Sequence, residues 1–207
     1  MYTCASCSKK ACDAGDTASF PSNCPSRESD LEAAILAMYE DPGERAIAVA
    51  SARVEAEGYC RKTRIEETID FAKKCQYKRI GIAFCVGFSK EASTLAKILR
   101  YHGFTVESVV CKNGSIPKES LGLVDEDKIH PGEFEPMCNP IGQAVLLSKA
   151  ATDFNIVLGL CVGHDSLFLR HSEAPVTVLA VKDRVLAHNP LGALYLSEGY
   201  YKGKLFP

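Results

Sequence analysis

Basic runs are missing from this chain, and so is any interleaving of basic with aromatic residues, although Lys and Arg number 24 against 26 Asp and Glu. A net charge of −2 with both signs interspersed leaves no footprint for nucleic acid or another polyanion. No apolar run is long enough to span a bilayer, which argues against a membrane-spanning protein. The opening residues, MYTCASCSKKACDAG, lack the apolar core of a secretory signal, so the expected location is cytoplasmic. Neither a G-x-G-x-x-G nor a Walker A pattern occurs, so a standard dinucleotide or nucleoside-triphosphate site is not supported. A G-x-S-x-G nucleophile elbow is missing too.

What is present is sulfur. The 207 residues are 46% hydrophobic, enough for one main domain with a small appendage, and they include ten cysteines. Without an export signal, metal ligation or thiol chemistry is favoured over a disulfide framework. Cys60 and Cys75 have no partner at ligand spacing and are expected to be small buried hydrophobes.

Residues 1–28 are rich in Cys, Ser, Ala, Asp and Pro, show no amphipathic period, and cannot order themselves without a staple. A helical lead-in follows over 29–76. Ser29 is placed to cap DLEAAILAMYE, Asp41-Pro42 starts a helix that Gly58 closes, and Thr63 with Glu66 has capping-box spacing. From 77 to 207 the pattern alternates short β-rich runs (RIGIAF, FTVESVV, NIVLGL, VTVLAV) with helices. Asn139-Pro140 and Asn189-Pro190 each mark a helix start. The expectation is a small doubly wound α/β domain over 29–207, its sheet mostly parallel, with an N-terminal cysteine-rich zinc knuckle and helical extension.

Two cysteine sets carry chemistry. Cys4, Cys7, Cys12 and Cys24 have the spacing C-x2-C-x4-C-x11-C. A close pair on a knuckle and two thiolates from the following loop complete a tetrahedron, which suits structural Zn²⁺ and would supply the folding free energy the segment lacks. The same four thiolates suit an iron–sulfur cluster, and free or disulfide-linked thiols are the remaining alternative. The second set, Cys85, Cys111, Cys138 and Cys161, falls at the ends of three strands and just before the Asn139-Pro140 helix. In an open parallel sheet that is one rim, the one where ligands bind and helix N-termini point. Three readings stay open there: a second metal or iron–sulfur site, a reactive thiol, and cysteines that merely fill corners.

Polar residues cluster around the same places. His164 and Asp165 follow Cys161 in CVGHDS, where His164 suits a ligand, an acid/base or a substrate contact and Asp165 an orienting carboxylate or helix-start charge. Lys182 and Arg184 follow the fourth strand and suit a phosphate or carboxylate, unless Asp183 simply pairs with Arg184 in a polar turn. His188 either approaches the same rim or is only part of a helix cap. His130, Glu133 and Glu135 lie in the long loop before Cys138, where a solvated acidic loop is the default. His102 and His171 read as ordinary helix-end residues.

Taken together, Cys4, Cys7, Cys12 and Cys24 with GIAFCVG, CNPIGQA, GLCVGHDSLF and VKDRVLAHNP resemble a bacterial and archaeal family of proteins regarded as metal-binding and of unknown function. The resemblance runs over nearly the whole chain and implies zinc on the N-terminal set; it implies no reaction. The leading expectation is a metalloprotein with zinc at the N-terminal cysteines and a metal or iron–sulfur centre at the rim. It would use a redox partner protein or a small anionic substrate held by Lys182 and Arg184. The alternatives are a thiol-dependent enzyme using Cys161 or Cys85 with His164 as base, and a non-enzymatic zinc-dependent interaction module.

Overall fold

The computed structural model describes residues 1–207. Its internal contacts divide the chain into two units, Met1–Tyr59 and Cys60–Pro207. In the first, three single 3-10 turns precede α1 (Ser29–Met38) and α2 (Pro42–Gly58). Asp41 caps α2, accepting hydrogen bonds from the amides of Gly43 and Glu44. Ser29 is the first helical residue of α1 rather than its cap, and that start carries no side-chain cap. α1 buries none of its side chains, whereas α2 buries Ala50, Val54 and Gly58.

The second unit is α/β. It begins with α3 (Arg64–Lys74), entered through the expected capping box of Thr63 and Glu66. Then come β1 (Arg79–Phe84), α4 (Ser89–Tyr101), β2 (Thr105–Val110), α5 (Pro140–Lys149), β3 (Phe154–Leu160), α6 (His164–His171) and β4 (Val176–Val181). The four strands form one all-parallel sheet in the order β2-β1-β3-β4. Right-handed crossovers then put α4 on one face and α5 with α6 on the other, and α5 does pack on α6. β3 is central and buried along its whole length. Ile80, Ile82 and Ile156 are fully buried in the core, each stabilising the fold by roughly 1.5–3 kcal/mol.

Side-chain size sets how the layers approach. A Cβ on Gly81 would come within 2.0 Å of Asn155 Oδ1, so glycine lets a buried polar side chain lie across β1. Asn155 is satisfied there, accepting from Thr152 Oγ1 at 2.9 Å and donating to Ser172 Oγ at 2.9 Å.

The chain end departs from expectation. Asn189 caps nothing; α7 is only Leu191–Tyr195, with Pro190 at its N-cap, and α8 is Lys202–Leu205. The long loop before Cys138 is stapled rather than loosely solvated. Lys118 pairs with Glu135 at 2.7 Å, and Lys128 bridges Glu119 and Asp125 at 2.6 and 3.0 Å. No helix is long and apolar enough to cross a membrane.

Candidate functional site

Strand order 2-1-3-4 reverses direction between β1 and β3, and the crevice outside their carboxyl ends is where such sheets take ligands. The cysteines sit one residue beyond the strands, held by continuation of the ladder. Cys85 N–H donates to Leu158 O at 3.1 Å and Cys111 N–H to Phe84 O at 2.8 Å. Cys138 arrives from the opposite direction, at the end of the long loop. Asn139, next to it, donates its backbone N–H to Cys111 O at 2.7 Å and caps α5 through the Gly142 amide. Asn113 clasps the same point, donating to Val110 O and Asn139 O at 2.9 and 3.0 Å.

This brings thiols into contact. Cys111 is hydrogen-bonded to both Cys85 and Cys138. Its sulfur also accepts from Val86 N–H at 3.3 Å, and Cys85 accepts from the Gly87 amide and Lys182. The Cys111 thiol and then the Gly87 amide and Lys182 pull Cys85 down to about 5, against the cost of burial. Cys138 is drawn to about 6, chiefly by Cys111 and then by Lys112 and His164, while Cys111 is pushed up and keeps its proton. Protons on such a trio belong to the group, so the three titrate as one system.

Cys161 is the fourth sulfur of the rim, and it faces Arg184, whose Nη2 lies 3.4 Å from it. No hydrogen bond joins Cys161 to His164; the His164 amide bonds Cys161 O instead, and its ring is near enough to Cys138 to act on it electrostatically. Asp165 accepts from the Ser166 amide at 2.8 Å, a helix-start role. Asp183 does not pair with Arg184: its carboxylate accepts from the amides of Val185 and Leu186, tying a turn. Glu135, held by Lys118 and the amides of Ile129 and His130, is pulled down to about 2 and is occupied structurally.

Sequence reasoning passed over Phe88, and of its two readings of His188 the helix cap does not occur. The Phe88 ring lies against Gly159, where a Cβ would come within 2.1 Å of it, and carries Lys182 Nζ 4.2 Å from its centroid. Gly159 has φ +69° and sits where the β3–β4 register slips, so glycine makes the bulge possible. A glycine inside an otherwise apolar strand was the available signal. His188 stacks on Phe88 at 4.5 Å and accepts the Asp183 amide on Nδ1, with both Ala187 and His188 at positive φ. Gln143 is buried in α5 and donates to Phe84 O and Val109 O, while its Oε1 has no partner.

At the N-terminus, Cys4, Cys7 and Cys24 line one cavity of about 280 Å³; Cys12 is exposed and outside that lining. As a donor set these sulfurs have the chemistry a thiophilic ion takes, and three of the four cysteines share one space. All ten cysteines are free, and no three His, Cys, Asp or Glu side chains stand grouped as the ligands of a metal ion. Three of the rim thiols are instead linked by hydrogen bonds through Cys111, and Cys161 meets Arg184. Cys60 is exposed rather than buried, and Cys75 is half-buried against Tyr77.

Residues 24–179 match the family described as protein of unknown function, DUF1847. The chain belongs to that family. An uncharacterised protein of Methanocaldococcus jannaschii is 47% identical over 202 residues, spanning 98% of this chain and 97% of the archaeal one. No solved structure matches. The DUF1847 match includes all four rim cysteines, His164 and Phe88, and the Cys24 end of the N-terminal set; Cys4, Cys7, Cys12, Lys182 and Arg184 lie outside it.

Proposed function

We propose that this DUF1847 protein is a metal-binding redox protein. In this reading Cys85, Cys111, Cys138 and Cys161 hold a sulfur-ligated centre at the rim, and Cys4, Cys7, Cys12 and Cys24 bind structural zinc. One observation supports the rim assignment: Cys85, Cys111 and Cys138, from three separate segments, are linked by hydrogen bonds at the switch point of the sheet, and Cys161 ends the neighbouring strand beside Arg184, with amide donors and cations around them. Such N–H···S bonds and positive charges stabilise thiolate ligands and tune a bound centre. Four cysteines are the ligand count of an iron–sulfur cluster.

A second reading is favoured by the contact of Lys182 and the Gly87 amide with Cys85, which suits a thiolate nucleophile acting on a small anion. In that reading Lys182, rather than His164, supports the attacking sulfur.

Zinc, iron and acid-labile sulfide per chain, measured on anaerobically purified full-length protein, separate the readings. The metal reading expects Cys85→Ser and Cys138→Ser to lose iron and sulfide while keeping zinc, and paired Cys4→Ser, Cys7→Ser changes to lose only zinc. Zinc alone, with rim thiols open to iodoacetamide, would overturn the rim centre in favour of thiol chemistry. Rim variants that change neither metal content nor alkylation would leave a scaffold whose N-terminal segment docks a partner.

A further inference from the structure

On the face of the sheet that carries α4, a cavity of about 430 Å³ lies between α3 and α4 over β3 and β4. Its walls are Ile65, Leu95, Ile98, Leu158, Leu179 and Phe88. That volume falls in the range of small-molecule sites, and the ratio of apolar wall to polar groups is typical of them. Ile98 and Leu179 are only half-buried, so the groove keeps apolar surface facing water.

Charge marks one end. Leu179 and Ala180 line the groove, and two residues further along the same strand direction Lys182 reaches the rim, its Nζ 4.2 Å from the centroid of the Phe88 ring. The other charged groups on the lining, Lys90 and Glu91, are neighbours on the first turn of α4 and offset each other. Asp183 is turned to the Val185 and Leu186 amides and makes no ion pair with Lys182. The group that Lys182 meets on the rim side is Cys85, so its ammonium stands between that sulfur and the Phe88 face, with donors to spare for a second anion. Phe88 cannot retreat toward the sheet, since its ring already rests on Gly159. It is therefore a fixed wall shared by the groove and the thiol rim.

We infer that this groove binds the apolar body of a small amphipathic monoanion, an alkyl or aryl carboxylate, with its head at Lys182 beyond Phe88. The site stands on the cavity and the charge beside it, and does not depend on a metal at the rim.

The test is calorimetry on the full-length protein, with and without bound metal, using octanoate, octanol and octylammonium, backed by displacement of anilinonaphthalene sulfonate fluorescence. Octanoate is expected to bind one per chain, at least about tenfold more tightly than the other two, the difference made by one charged contact. Thr94→Trp, an exposed lining position on α4, fills the groove and abolishes binding, whereas Thr94→Ala preserves it. Glu91→Trp is a second way of filling the space should the first variant lose its fold. Lys182→Met brings octanoate down to the affinity of octanol. Equal affinity for the three ligands overturns the inference, as does binding that a folded Thr94→Trp protein retains. A dimer that Thr94→Trp dissociates, with no octanoate bound, assigns the groove to a second copy instead. Metal content, measured alongside, decides the rim centre separately: Thr94→Trp stands away from the rim thiols and is expected to leave it unchanged, whereas Lys182→Met touches Cys85 and is compared with wild type in the metal-free state.

Discussion

The two ends of the sheet follow opposite rules. At the amino ends of the strands, Phe71, Tyr77 and Phe154 pack as an aromatic cluster with centroids 5.3–6.1 Å apart. Asp153 there accepts the amides of Lys78 and Arg79, and buried Asn155 is fully bonded. At the carboxyl ends stand thiols, cations, a bulge at Gly159, positive φ at Ala187 and His188, and an unpartnered Gln143 Oε1. One end satisfies its groups and stabilises the fold. The other gathers nucleophiles and leaves a buried polar atom unpaired, as functional sites do, while positive φ outside glycine occurs at both ends, at Gln76 and Ala151 as well as at Ala187 and His188.

Substitutions divide along the same line. Phe154→Ala, at the quiet end, is expected to cost about 3–5 kcal/mol in denaturant unfolding while leaving rim thiol reactivity unchanged. If thiol reactivity moved with it, the two ends would be coupled and the contrast lost. Gly159→Ala drives a methyl into Phe88 and places alanine at positive φ, for about 2–4 kcal/mol. Unlike Phe154→Ala, it is expected to alter thiol reactivity as well, since Phe88 supports Lys182.

Protons sharpen the contrast. In metal-free protein, thiolate absorbance is expected to fall as pH drops through about 6 and about 5, with Cys138 and Cys85. Removing the donor by Cys111→Ala shifts that titration toward the ordinary thiol range. Because both folded values are lowered, their contribution to stability is complete above the unfolded thiol range and is lost as pH falls; the raised Cys111 runs the other way. Tyr77, at the far end, is raised to about 12 by burial, so its contribution holds below the unfolded phenol value and is lost as pH rises through 12. Unfolding measured from acid to alkali in Cys85→Ala and Tyr77→Phe proteins separates the two. The smallest effect is expected in the loop. Glu135 is depressed to about 2, so its support fades only as pH falls from the carboxylate range toward 2, and Lys118→Met removes that acid resistance.

Local signals made most of the framework legible. The apolar runs of β1, β3 and β4 and the caps at Asp41, Thr63 and Asn139 depend on neighbours in sequence, and the structure has them where the pattern puts them. The placement of Cys85, Cys111 and Cys161 followed from strand ends, and that of Cys138 from the Asn139-Pro140 helix start. What stayed hidden depends on distant partners. Asn113 gives no local hint that it will clasp Asn139, nor Lys118 that it will find Glu135, seventeen residues on. Asp183 and Arg184 looked like a pair because they are adjacent, yet nearby amides and a sulfur from another loop compete more successfully for them.

The clasp at Asn113 and Asn139 has a consequence for dynamics. Cys85 and Cys111 are held by the ladder of the sheet and Cys161 directly follows β3, but Cys138 is delivered by a loop closed through its own ion pairs, a short bridge between Pro117 and Pro136 and one asparagine pair. That loop is a separable opening unit, able to unlatch while the strands stay paired. Amide exchange over 112–138 should then outpace exchange in β1 and β3 by orders of magnitude. Three sulfurs are thus permanent fixtures of the rim, and the fourth is admitted by a latch.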